Sequence, residues 1–302
     1  GKLDRIFRKI ENSSRRIRGM IKTKMSKIQG RRGKKQMIAV KKIDTIEALN
    51  EILFEQPYDT KIGRNRSSCL YRGLPDESYR LVTSLKRNCK DKKNELEGSV
   101  LRNFTKYAAK EDPELKNSVW RQIIIGQHHG LPTRLLDWSY SPMVAMHFAT
   151  SGENMETMDQ HNCAVWKIDI PEMNTKMPEI YRKKLQEERA YLLTVEMMDA
   201  LASNLKKFDQ DMGADALPLI EPPSIDQRII NQYSYFMVVP AGVTDVEEFL
   251  DRHTKKTTKY IIDKSLKWRV RDMLDQMNMN ERSIYPGLDG LTQWIKRHYY
   301  VR

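Results

Sequence analysis

Ile6, Ile10, Ile17, Ile21, Met25 and Ile28 recur at three-, four- and seven-residue steps with Lys and Arg between them, the period of one helix face. The pattern predicts a basic amphipathic helix that ends at Gly30 and runs into the flexible cationic stretch Arg31-Arg32-Gly33-Lys34-Lys35. From about residue 44 the pattern becomes ordinary. Residues 45–54 have helical spacing with Thr45 as N-cap, residues 69–73 form a short β-type run, and residues 96–109 and 119–129 read as helices. Gly130 and Pro132 close the second of these, and Ser141-Pro142 opens another helix whose apolar face is Val144, Ala145, Phe148 and Ala149. Residues 164–170 alternate as a half-buried strand does, with Ala164, Trp166, Ile168 and Ile170 on one side. Residues 178–205 read as helical, 235–239 as a compact strand, and 246–252, 265–277 and 291–298 as later helices. Such irregular alternation predicts a single mixed α+β domain rather than a bundle or a doubly wound sheet.

Charge sharpens this division. The chain has 302 residues and a formal net charge of +13, and residues 1–43 hold 16 Lys/Arg against only Asp4 and Glu11, a net of +14. The remaining 37 basic and 38 acidic side chains nearly cancel. The expected organisation is therefore a cationic helical arm and linker, 1–43, on a neutral domain, 44–302. The arm's isoleucines could pack on the domain, or Arg15, Arg16, Arg18, Arg31, Arg32, Lys34 and Lys35 could bind nucleic-acid phosphates or an anionic membrane surface. Nothing in the arm reads base sequence.

No apolar run reaches 18 residues, and the N-terminal segment lacks the apolar h-region of a secretory signal, so neither a transmembrane segment nor export is expected. Cys69, Cys89 and Cys163 are odd in number, widely spaced and without a C-x-x-C pair, which points to a reducing, cytoplasmic location and to no structural metal.

The densest chemistry lies in residues 126–139, Gly-Gln-His-His-Gly-Leu-Pro-Thr-Arg-Leu-Leu-Asp-Trp-Ser, which read as a polar loop between two helices. A plain reading makes Arg134 and Asp137 a local ion pair, with the histidines capping a helix C-terminus. A hydrolase built on His128, His129 and Asp137 would lack the paired acids of a two-metal site.

These residues resemble a known family. Tyr71-Arg72-Gly73, the run from Tyr79 to Arg87, the string from Gln127 to Trp138, and Ala145-Met146-His147-Phe148-Ala149 are similar to the ordered blocks of the FRG domain. Arg228 to Phe236 and Ile284 to Leu291 resemble its later blocks, so the likeness spans about residues 50–297 and excludes the arm. A more distant resemblance is to ADP-ribosyltransferases of the Arg-Ser-Glu type. It implies a split sheet flanked by helices, NAD as substrate, a macromolecular acceptor such as protein or nucleic acid, and a toxin or antiviral-defence role.

On that resemblance Tyr71, Arg72, Gly73, Thr133, Arg134 and Ser141 would hold NAD, and Ser139-x-Ser141 would be the middle block. Gln232 would stand where those enzymes place a catalytic Glu, with Asp137 or His129 supplying the basicity an amide lacks. A guanidinium binds pyrophosphate through paired charge-assisted bonds, and Gly73 would let the ligand approach the backbone. Each residue also has a structural reading: Arg72 as an ion-pair partner, Ser139 as an N-cap, Gln232 as a buried amide bridging strands. A non-catalytic nucleic-acid-binding module that works through the arm is the alternative function.

Overall fold

The computed structural model describes residues 38–54, 56–152 and 154–302. The predicted basic helix, and with it Arg15, Arg16, Arg18, Arg31, Arg32, Lys34 and Lys35, lies outside the described residues. In chain order the elements are β1 (Ala39–Ile43), α1 (Ile46–Leu53), the small hairpin β2 (Tyr58–Asp59) and β3 (Arg64–Asn65), β4 (Cys69–Leu74), α2 (Ser84–Cys89), α3 (Lys93–Ala108) and α4 (Val119–His128). Next come β5 (Leu135–Ser139), α5 (Pro142–Thr150), β6 (Cys163–Asp169), α6 (Ile170–Asn174), α7 (Glu179–Glu187), α8 (Val195–Leu201) and α9 (Leu205–Met212). The chain ends with β7 (Leu219–Ile220), α10 (Gln227–Asn231), β8 (Ser234–Val238), α11 (Val246–His253), β9 (Thr258–Ile262), α12 (Lys267–Gln276), α13 (Glu281–Ile284) and α14 (Leu288–His298). The class is α+β, as expected.

Side-chain caps explain where many helices begin. Ser118, Ser141, Thr194 and Asp226 each accept a bond from the backbone N–H three residues on, opening α4, α5, α8 and α10. Each such cap contributes about 1 kcal/mol.

Seven strands form one sheet in the order β1-β9-β6-β4-β5-β8-β7. Neighbours are antiparallel except β1 and β9, which run parallel with Ala39 opposite Thr258. Between β4 and β5 the register holds at one position only, Tyr71 opposite Ser139. On one face a continuous core crosses this split, joining Leu70, Trp166 and Ile168 to Leu136, Trp138 and Met237 beneath Met173 and Phe249. The opposite face carries two separate cores. Tyr71, Val165 and Ile262 pack with α1, α5 and α12 through Leu49, Ala149 and Val270, whereas Leu135, Phe236 and Val238 pack with α4, α8 and α9 through Ile123, Met198 and Phe208.

Four expectations need correction. Residues 135–139, read as part of a loop, are strand β5, paired along its whole length with β8. Residues 39–43, assigned to the arm, are strand β1, so the folded body begins before residue 44. Residues 164–170 were expected to be half-buried, but β6 lies between β9 and β4 with every residue except Lys167 fully buried. A central strand with packing on both faces has no reason to alternate. The stretch 178–205 breaks after α7, where Arg189 takes a left-handed φ of 51° and Leu193 bridges to Ile220 beside β7. Among the described residues no helix is long and apolar enough to cross a membrane.

Gly73 was expected to admit a ligand. Instead α5 occupies that space: a Cβ at Gly73 would sit 1.8 Å from the Ala145 carbonyl oxygen and 2.6 Å from the Ala149 nitrogen. Both are backbone atoms that cannot turn aside. Gly73→Ala should therefore lower stability by about 3 kcal/mol through overpacking, measured as a fall in the urea midpoint, while the same change at Gly98, where a Cβ meets nothing within 4 Å, should not.

Candidate functional site

Where β4 and β5 part, backbone groups lose their ladder partners and side chains replace them. Arg72 Nη1 donates to the Asp137 carbonyl oxygen at 2.5 Å, standing in for the N–H that a continued strand pair would have offered. Ser139 Oγ donates to the Gln232 carbonyl oxygen at 2.8 Å and accepts from the Ser141 N–H at 3.0 Å, which ties the end of β5 to the turn before β8. A cleft of about 800 Å³ opens at the split, bounded by β4, β5, α5, α10 and the C-terminal helices. Five cations line it, Arg72, Arg228, Arg271, Lys296 and Arg297, against the carboxylates Asp137 and Glu281. The excess positive charge suits an anionic ligand.

Asp137 is oriented by a relay. The Thr133 hydroxyl donates to Gln127 Oε1 at 2.5 Å, fixing that amide so that its Nε2 donates to Asp137 Oδ2 at 2.9 Å. Arg72 Nη1 stands 3.6 Å from the same oxygen. The Asp137 side chain is 56% exposed, and its Oδ1 makes no hydrogen bond among the described residues, so one oxygen faces the cleft. Arg72 is only 18% exposed. Burial lowers its pKa, opposed by the Asp137 charge, and its Nε is buried with no partner.

The far wall is an ion cluster. Arg297 makes paired bonds to Glu281, at 2.7 and 2.8 Å, and to Asp275, both at 2.7 Å. Arg271 also bonds Glu281, and its Nη1 lies 2.8 Å from His147 Nδ1. Burial disfavours the Glu281 charge, but hydrogen bonds from Arg297 and the charge of Arg271 prevail and hold its pKa down to about 2. His147 is held down to about 3, chiefly by burial and then by the Arg271 charge. It is a neutral acceptor whose Nδ1 faces the guanidinium.

Of the residues expected at the site, Tyr71, Arg72, Gly73, Asp137, Ser139 and Gln232 line the cleft. Four do not. Arg134 points away, bonding Glu97 and Asp209 in a buried triad, so the local Arg134–Asp137 pair does not form. The two lie three apart along an extended segment, which sends their side chains to opposite faces. Thr133 acts through Gln127. Ser141, not Ser139, is the N-cap of α5. His129 is the exposed C-cap of α4, and its neighbour His128 pairs with Asp226. Gln232 Nε2 reaches the Ile284 carbonyl at 3.3 Å, bridging to α13 rather than between strands.

Sequence reasoning did not single out His147, Arg228, Arg271, Glu281 or Arg297. His147 and Arg228 lie inside blocks of the family resemblance, and the rest carry no short spacing that would signal them. The block from Ile284 to Leu291 proves to be a packing motif: a Cβ at Gly290 would lie 1.8 Å from the Tyr285 carbonyl oxygen, where α14 folds against α13. Among the described residues no three His, Cys, Asp or Glu are grouped to hold a metal ion.

Residues 67–158 match the family model of the FRG domain. The match runs from the approach to β4 past the end of α5, so it contributes Arg72, Asp137 and His147 to the cleft, while Arg228, Gln232 and Glu281 lie beyond it. No curated protein and no solved structure matches the chain.

The buried His147 makes stability pH-dependent. Its folded pKa of about 3 lies below the ordinary 6.5, so under pH 6.5 the unfolded chain takes up the proton first and stability falls as pH falls. Between pH 6.5 and 5 this one group should remove about 2 kcal/mol. Urea denaturation across that range should show a steeper loss for wild type than for His147→Gln.

Proposed function

We propose, taking as premise that the chain carries an FRG domain at residues 67–158, that the cleft binds NAD and transfers its ADP-ribose to a macromolecular acceptor. One observation carries this reading: Arg72, Ser139 and Gln232, distant in sequence and singled out by the resemblance to ADP-ribosyltransferases, line one cation-rich cleft at a split in the sheet.

The residues present suit NAD. Arg228 and Lys296 line the cleft beside Arg72 and make no ion pair among the described residues, leaving them to a pyrophosphate. Glu281 is neutralised by Arg271 and Arg297, so Asp137 is the cleft carboxylate with an uncommitted oxygen. In the proposed transfer the bond between the nicotinamide nitrogen and the ribose C1 breaks, and nicotinamide leaves neutral with the bonding pair. An acceptor oxygen or nitrogen forms the new bond and releases its proton. Asp137, rather than His129 or the amide of Gln232, faces the positive charge that develops on the ribose. Ser139 positions the Gln232 turn through its committed hydroxyl. The segment before β1, with a net charge of +12 over residues 1–38, would draw a polyanionic acceptor or scaffold such as nucleic acid.

The test is the whole 302-residue chain with NAD labelled in each half, cell extract and nucleic acid. Nicotinamide release and label transfer are expected, with Arg72→Ala and Asp137→Asn each slower by about 10²–10³-fold. His129→Ala should stay within about threefold, since that side chain is outside the cleft. Wild type that consumes no NAD, or that matches Arg72→Ala, would sink the reading.

A further inference from the structure

A second concavity, of about 760 Å³, lies between α3, α4 and the start of α9 and shares no lining residue with the cleft. Four cations line it, Arg102, Lys106, Lys110 and Lys116, and no carboxylate does. None of the four forms an ion pair among the described residues, although the body as a whole is neutral. Three of them recur at four-residue steps along α3 and its final turn, a spacing of about 6 Å along the axis. The floor is apolar, with Leu101, Val119 and Leu205, and it contains the Thr105 hydroxyl, buried without a partner. Tyr107, next to Lys106 on α3, is 73% exposed, and the Lys106 ammonium sits 5.2 Å from its ring centroid.

We infer that this groove is a docking site for the backbone of a single-stranded nucleic acid, independent of the NAD-binding cleft. A row of unpaired cations above an apolar floor tracks phosphates, while an exposed ring beside the row offers a stacking surface for a base. The concave shape favours a strand over a lipid bilayer, because a flat membrane surface cannot follow cations into a recess. The open groove, with Tyr107 outside its lining but against Lys106, favours an extended chain over a compact polyphosphate.

Fluorescence anisotropy of the full chain with an oligothymidylate of about 20 nucleotides tests this, together with photocrosslinking of the same strand carrying 4-thiothymidine. Lys106→Glu/Lys110→Glu should weaken binding at least tenfold and make the slope of log K against log salt less negative by about 1.4. Tyr107→Ala should weaken it about tenfold. Lys264→Glu/Arg269→Glu, a charge-matched control on another surface, should change affinity less than twofold, and crosslinks should map to residues 102–116. Equal losses in the groove and control variants would overturn the proposal. So would crosslinks confined to residues 1–36, equally tight binding of inorganic tripolyphosphate, or binding of phosphatidylserine vesicles but not of the strand.

Discussion

Tyr71 opposite Ser139 is the single point at which β4 and β5 share a register, and the rest of the molecule is arranged around that narrow join. On one face of the sheet the core passes across it unbroken. On the other face each half of the sheet supports its own helices, with α5 pressed so close to β4 that only glycine fits at position 73. Two helical layers seated on two half-sheets leave space between them. That space is the cleft. The strand edges freed at the split would be left with unpaired polar groups, which is costly where water is scarce. Arg72 and Ser139 meet this need with side chains, so the residues that close the backbone accounting also form the wall of the site.

Buried arginines hold the walls in place. Arg134 is gripped by Glu97 and Asp209 and Arg297 by Glu281 and Asp275, each guanidinium facing two carboxylates. Removing one member of such a set leaves a buried charge without compensation, which is far more costly than the net value of the pair. The same accounting divides the acids. Glu281 is committed to two arginines and works as scaffold, whereas Asp137 keeps one oxygen uncommitted at the cleft, its position set by Gln127 and Thr133.

Much of the local structure was legible from spacing. The helix cap at Thr45, the helix opening at Pro142, the β-type run at residues 69–73 and the closure of α4 before Gly130 follow from near-neighbour rules, and the structure has them. Leu-Leu-Asp-Trp-Ser was not legible as a strand, because β5 is packed on both faces and its one exposed residue, Asp137, faces a cleft and not bulk solvent. Likewise the basic composition that marks the arm extends to Lys41 and Lys42, which concealed β1 and its parallel pairing with a strand more than 200 residues later.

The site divides in the same way. The order of blocks in the sequence by itself determined the family resemblance and named Arg72, Asp137, Ser139 and Gln232, because each belongs to a short contiguous motif. Only the tertiary structure decided that Arg134 turns inward to Glu97 while Arg72 takes Asp137, that Gly73 serves helix packing, and that His147, Arg271 and Glu281 form the opposite wall. The reason is physical: caps, turns and periodicity are encoded within a few residues, whereas the partner of a charge is whichever group the fold brings near it. That choice is made by strand order and helix packing, and no spacing along the chain records it.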